Sequence, residues 1–570
     1  MHTKKYILAV SVAMCSVQLI SAQTITEDTI AKRSVVIERD YTPTVQEAQK
    51  LSIDPVISEP EIKKEPVNYS DKITLLNPDF EINRWQAAAT RIEPVIAQKG
   101  YALLGAGVYG AVFGDLLYPI ASDAEQSLTL NAHLSSLFGN NQRLLAPKIG
   151  LTYKHDFEPL TLNVGVHFNY TGFNYYGTNG LGFSTANYKD STNHFINFGL
   201  RAGIASKNTD EDALHYALSV RYNNFSFGQG MSEQQIHTSG NIEGAVSSFR
   251  IGVSAEMYNL FYSSTGDAYH YPYLSYTANN YPNHLVLGLN PYIKFVFDPL
   301  TIKIGLKDYL NTSNIDRKTS MMPDVDIHYS PFKTVTIYGG LGGEYTVNTM
   351  ERVTDENRYI LPDLRINNSY APFSIYGGIK LTPTKGWLIN GYVDYKMYQN
   401  DYFYVNQVDY YYGESFMWPS PLLFINVPLF TVQYDKADLF TAALQTSYNW
   451  RDMVTVHAGI NYNNWKMNAL QYAWMRPGLE FEAGIEAKVN RHLFLNANFH
   501  AAGQTHAYVN GYDAVAMNNV NDLSLGASYL YGDRLTFFIR ANNILSNKSQ
   551  VWYGYDRLGV NGQIGIAVNF

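Results

Sequence analysis

Residues 560–570 alternate in character. Val560, Gly562, Ile564, Ile566, Val568 and Phe570 fall on one side; Asn561, Gln563, Gly565, Ala567 and Asn569 fall on the other. Side chains of a β-strand point alternately to two faces, so this stretch predicts a strand with one apolar face and one polar or small face. About ten such residues let a tilted strand cross a bilayer, with lipid on one side and water or packed polar groups on the other. The pattern recurs upstream. In 160–170 the apolar set is Leu160, Leu162, Val164, Val166, Phe168 and Tyr170, against Thr161, Asn163, Gly165, His167 and Asn169. In 454–463, Val454, Val456, Ala458, Ile460 and Tyr462 oppose Thr455, His457, Gly459, Asn461 and Asn463. Residues 493–500 and 302–307 read the same way.

Soluble β-sandwiches also alternate, so the connections decide the class. Tight turns are predicted at Asp156-Phe157-Glu158-Pro159, Phe297-Asp298-Pro299, Ser330-Pro331-Phe332-Lys333, Arg451-Asp452, Asn490-Arg491-His492 and Gly532-Asp533-Arg534. Long polar or aromatic connections fall at 175–192, 264–281, 349–370, 406–425 and 509–518. Short turns alternating with long loops are the transmembrane barrel arrangement, with turns on the periplasmic side and loops outside. The prediction is an all-β fold: an antiparallel up-and-down β-barrel over residues 99–570, with roughly 22 strands.

Composition narrows the environment. Aromatic residues make up 14% of the 570, and 46 are tyrosines, which collect where apolar medium meets water. Charged residues are 16%, below the roughly quarter of soluble domains. Mean hydropathy is −0.20, and beyond the N-terminus no apolar run approaches the ~18 residues of a spanning helix. A net charge of −8 gives no electrostatic footprint for nucleic acid. Lys4 and Lys5, the apolar run 6–20 and Ser21-Ala22 read as a secretory signal peptide over 1–22. The single cysteine, Cys15, lies inside it, as a signal residue or as a lipidated N-terminus. On the first reading the mature chain holds no disulfide and no Cys-ligated metal. Residues 23–98 hold charged clusters and Pro43, Pro55, Pro60 and Pro66, which predict an extended periplasmic segment.

A closing strand ending on an aromatic resembles the last strand of bacterial outer-membrane barrels, whose terminal aromatic belongs to the assembly signal. Residues 537–548 followed by 560–570 resemble the C-terminal barrel of TonB-dependent receptors, with Asn543-Ile544-Leu545 and Lys548 as a loose match to a family step. The stretch 34–43 resembles openings of Bacteroidetes outer-membrane proteins of that kind. The resemblance implies a cell outer-membrane location, membrane lipid around the barrel, recognition by the barrel-assembly machinery through Phe570, and a TonB-like energy transducer as partner. It also implies a plug domain larger than residues 23–98 can supply.

The chemistry of the chain points to no enzyme and no cofactor. The histidines, including His167, His457 and His500, fall on the polar strand face, where a polar residue is required anyway. Asp324 and Asp326 share a strand face and could hold a cation or stand as solvated charge. The aromatic run 402–418 reads as an exposed loop, in which Tyr410, Tyr411, Tyr412 and Trp418 could stack on a surface ligand or form an interfacial girdle. Val35, Val36 and Ile37 could pair as a strand with the transducer or tuck beneath the barrel. Two functions remain: uptake or binding of a solute at the cell surface, or a structural or accessory barrel of an envelope complex.

Overall fold

The computed structural model describes residues 100–570, apart from 140, 178–191, 208–212, 229, 265–268, 272–273, 277–280, 314–317, 363, 365, 412–422 and 510–513. Val35, Val36, Ile37, Tyr412 and Trp418 therefore lie outside the described residues, as does everything expected of 1–98. Among the described residues no helix is long and apolar enough to cross a membrane.

Twenty-two strands form one antiparallel sheet closed on itself, as the alternation predicts. Closure joins the two ends of the described chain. The first strand, Tyr101–Gly107, pairs with Ala111–Ser122 on one edge and with Asn561–Asn569 on the other. Closure leaves no strand edge, which is the condition for a sheet in a medium that offers no hydrogen bonds. Phe570 continues the seal: its N–H donates to the Gly100 carbonyl at 3.0 Å, and its ring lies 5.6 Å from that of Tyr118.

The faces divide as expected. Ile564, Ile566 and Val568 are exposed on the outside, while Gln563 and Ala567 are buried on the inside. Ile304, Val393, Leu444 and Ile460 continue the outer apolar band. Near the tight-turn end it is bordered by exposed Tyr118, Phe297, Phe332, Trp387, Trp450 and Tyr531, the positions of an interfacial aromatic girdle. So continuous an apolar exterior has no place on a water-soluble monomer.

Three readings need correction. The turn expected at 330–333 falls at Lys333-Thr334, because an irregularity between Tyr329 and Phe332 carries the ladder past Pro331. Asn543-Ile544-Leu545 lies beyond the strand Leu535–Asn542, in a connection. The aromatic run 402–418 is not an exposed loop at its start. The strand runs from Trp387 to Tyr411 and pairs with Leu423–Trp450, and Tyr402, Phe403 and Tyr404 are 3%, 0% and 3% exposed. They are covered because other parts of the chain fold over both of their faces. Tyr410 and Tyr411 belong to this strand.

Candidate functional site

The connection between Val335–Thr346 and Ser369–Leu381 does not stay outside the barrel. It carries the helix Met350–Glu356, capped by the Thr349 hydroxyl, which accepts from the Arg352 N–H at 3.3 Å. Its partners are lumen-facing side chains of both distant and adjacent strands. Glu351 accepts from Asn223 Nδ2 at 2.6 Å and from Asn197 Nδ2, on the strands His215–Phe227 and Thr192–Ser206. Glu356 accepts from the hydroxyls of Tyr402 and, at 3.2 Å, Tyr404. The Met350 N–H donates to Glu233, at 3.2 and 3.1 Å from its two oxygens. Past the helix, Ile360 forms a parallel bridge with Phe430: Leu361 N–H donates to the Phe430 carbonyl at 2.9 Å, and Phe430 N–H to that of Tyr359 at 3.0 Å. Tyr359 stacks on Tyr555 at 3.7 Å, in the connection between the last two barrel strands. Segment 347–368 thus reaches from its own strands to walls five to eight strands away and to the connection that carries Tyr555.

Apolar packing fills the space around it. Val353 and Ile360 are fully buried with Tyr175, Leu429 and Phe430, in a cluster that also includes Phe173, Phe195, Phe225, Phe227 and Tyr555. Burial of each large side chain contributes roughly 1.5–3 kcal/mol, so the cluster outweighs any single hydrogen bond of the segment. A second cluster, with Phe403, Val405 and Trp474 among its members and Trp465 packed against it, closes on the far face of the strand Trp387–Tyr411. Arg476 lies against it, 4.9 Å from the Phe403 ring and 5.1 Å from Trp465, and pairs with Asp401 at 3.4 Å. A cavity with room for about one water remains beside the helix, lined by Glu233, Tyr262, His284, Asn348 and Asn368.

Glu233 is 1% exposed and faces the lumen from the strand Met231–Val246, where it accepts from the Met350 N–H. Glu233→Ala leaves that N–H without its acceptor, so proteolysis within 347–368 of the purified protein should accelerate. An unchanged rate would show that Glu233 does not hold the segment in place.

The residues read from the sequence separate differently. Asp324 is 1% exposed and internally matched: Lys303 and Lys307 contact it at 2.6 and 3.0 Å, and Asn290 donates at 2.9 Å. Its charge is consumed by the wall rather than offered to a cation. No cluster of His, Cys, Asp or Glu among the described residues could hold a metal ion. His167 and His457 lie over Gly199 and Gly484 of neighbouring strands, in space that a Cβ would fill. Glu233, Glu351, Glu356, Asn197 and Asn223 were not singled out from the sequence. Their one local signal is Thr349 capping a short run with Glu351 in its first turn.

No sequence-family model and no curated protein matches the chain. Solved structures do. FpvA of P. aeruginosa bound to heterologous pyoverdines aligns with a TM-score of 0.60 and 13% identity, over 83% of this chain and 72% of that one. The siderophore receptor PirA from Acinetobacter baumannii gives 0.59 and 9%, over 83% and 81%. The ferric-catecholate import receptor Fiu from E. coli gives 0.60 and 10%, over 83% and 82%. At such identities the likeness is one of fold: this chain forms a closed 22-stranded barrel similar in architecture to those receptors.

Proposed function

We propose that the chain is an outer-membrane barrel of the TonB-dependent-receptor type, which binds or takes up a solute at the cell surface, with segment 347–368 as its resident gate. One observation carries the reading: the barrel closes its own mouth with a segment held by polar contacts to distant walls, above a lumen lined with charged and amide side chains. A barrel that served only as a scaffold would have no need to hold its closure by polar contacts. The tight-turn end faces the periplasm and the long-loop end the outside. Residues 1–22 act as the export signal, Phe570 as part of the assembly signal, and Val35-Val36-Ile37 as the strand offered to the transducer.

Sidedness has a direct check. An epitope tag inserted at residue 415 should be labelled on intact cells, and a tag at Arg491 only after the outer membrane is opened. Labelling of both from outside would reverse or break the assigned topology. Function is tested by deleting the gene and growing cells on one limiting iron, vitamin or glycan source at a time. The expected result is a growth defect on at least one source, restored by the wild-type chain but not by Val36→Pro, which removes a strand donor. Normal growth on every source, together with a weakened envelope, would favour the accessory barrel.

A further inference from the structure

Arg201 and Arg221 occupy directly opposed positions on neighbouring strands, and both side chains are on the lumen face. Like charges directly opposite one another in a sheet destabilise it. Elsewhere this wall solves the same problem with carboxylates. Lys294 and Lys303 are also directly opposed, but Lys294 reaches Glu243 at 4.0 Å and Lys303 holds Asp324 at 2.6 Å. Lys303 and Lys307 share Asp324. Arg557 has Asp522 at 2.6 Å, and Lys396 has Glu344 at 2.8 Å.

The arginine pair has no such answer: among the described residues no carboxylate lies within ion-pair distance of either guanidinium. Arg201 donates to the Thr152 hydroxyl at 3.3 Å and lies over Gly165, where a Cβ would come within 2.7 Å of its Nε. The acids nearby are committed elsewhere. Glu256, beyond the opposed residues His237 and Tyr258, contacts His237 at 3.5 Å and accepts from the Tyr309 hydroxyl. Glu351 is held by Asn197 and Asn223, one side-chain row nearer the mouth than Arg221.

We propose that Arg201 and Arg221, with the Thr152 hydroxyl, form a binding site for an oxyanion, the carboxylate or phosphate group of a small solute, immediately beneath segment 347–368. The Arg201 fork, extended over Gly165 to the Thr152 hydroxyl, offers paired N–H donors matched to such a group, Arg221 adds a second positive charge from the next strand, and a bound anion supplies the counter-charge that the wall withholds. The site lies where a solute released past the gate would first meet the wall. This deepens the uptake reading and rests on it for its biological meaning. Binding itself is measured on the isolated protein, so its failure leaves the uptake reading to stand or fall on growth.

Purified full-length protein in nonionic detergent would be titrated calorimetrically with citrate and with inorganic phosphate at low ionic strength. Saturable binding of at least one is expected, weakened about tenfold or more by Arg201→Gln with Arg221→Gln. Lys154→Gln removes a lumen cation that is already paired with Asp156 at 2.9 Å, and should change affinity less than about twofold. Cold-SDS mobility reports that each variant is a folded barrel. Without anion, the double variant should melt no lower than wild type, because a repulsion has been removed. The proposal is overturned by absence of saturable binding in wild type, by undiminished binding in the folded double variant, or by an equal loss in Lys154→Gln. A lower melting temperature of the double variant would also overturn it, by showing that the pair already has a partner.

Discussion

Replacing residues 348–367 with a short Gly-Ser linker is expected to turn a nearly silent barrel into an open one, raising single-channel conductance in planar bilayers by about tenfold or more. A 22-stranded barrel encloses a lumen too wide for wall side chains to fill, so something must cross it. Among the described residues this segment, with Val353 and Ile360 fully buried, packs in the cluster that does so, together with Tyr175, Met475, Met517 and Tyr555 of other connections. The barrel itself should survive the excision. The contacts of Glu351, Glu356 and Met350 are to lumen side chains, and no ladder hydrogen bond of the 22 strands depends on them. Growth on a large antibiotic normally excluded by the outer membrane gives the cellular counterpart. If conductance stays at the wild-type level, closure does not depend on this segment, and excising 24–95 as well tests whether the N-terminal residues rather than the other connections supply it.

The second expectation concerns the two faces. Ile460→Arg places a cation in the lipid band at mid-strand and should cost about 2–4 kcal/mol in refolding from denaturant into vesicles. Asn461→Arg, the very next residue, should be close to neutral, because its side chain faces the lumen directly opposite Glu480. Equal tolerance at the two positions would refute the face assignment. The terminal strand is a poorer place for this comparison. Gln563 faces the lumen but is 7% exposed and directly opposes Arg540, so an arginine there meets a like charge as well as crowding.

The barrel was legible in the sequence because lipid imposes a rule on every second residue. Alternation and turn spacing placed the outward faces of 160–170, 454–463 and 560–570 correctly, and the even strand number with them. Segment 347–368 was not legible. Asn348, Glu351, Arg352, Glu356 and Asn357 alternate with Val353, Ile360 and Leu361 in no strand-like period, and a polar lumen selects the same polar residues as water does. Only the wall partners distinguish the two, and Asn197, Asn223 and Glu233 are more than a hundred residues away. The aromatics at 402–404 misled for a related reason. A strand that continues past the membrane loses the lipid rule, and its Tyr-Phe-Tyr run looks like a sticky loop. The period-2 pattern does continue there, but its two faces are covered by different clusters, so neither side is polar.

The strands Trp387–Tyr411 and Leu423–Trp450 have 25 and 28 residues, where their neighbours have 13 and 14. The excess of about a dozen residues per strand corresponds to roughly 40 Å of ladder beyond the barrel rim. Phe430 lies in this ribbon, and its own N–H and C=O are the groups that bridge to Tyr359 and Leu361. The ribbon and segment 347–368 are therefore tied to each other through the main chain. Because the joint is made of main-chain hydrogen bonds, exchanging side chains leaves it coupled, and proline at 361 or 430 is the substitution that uncouples it.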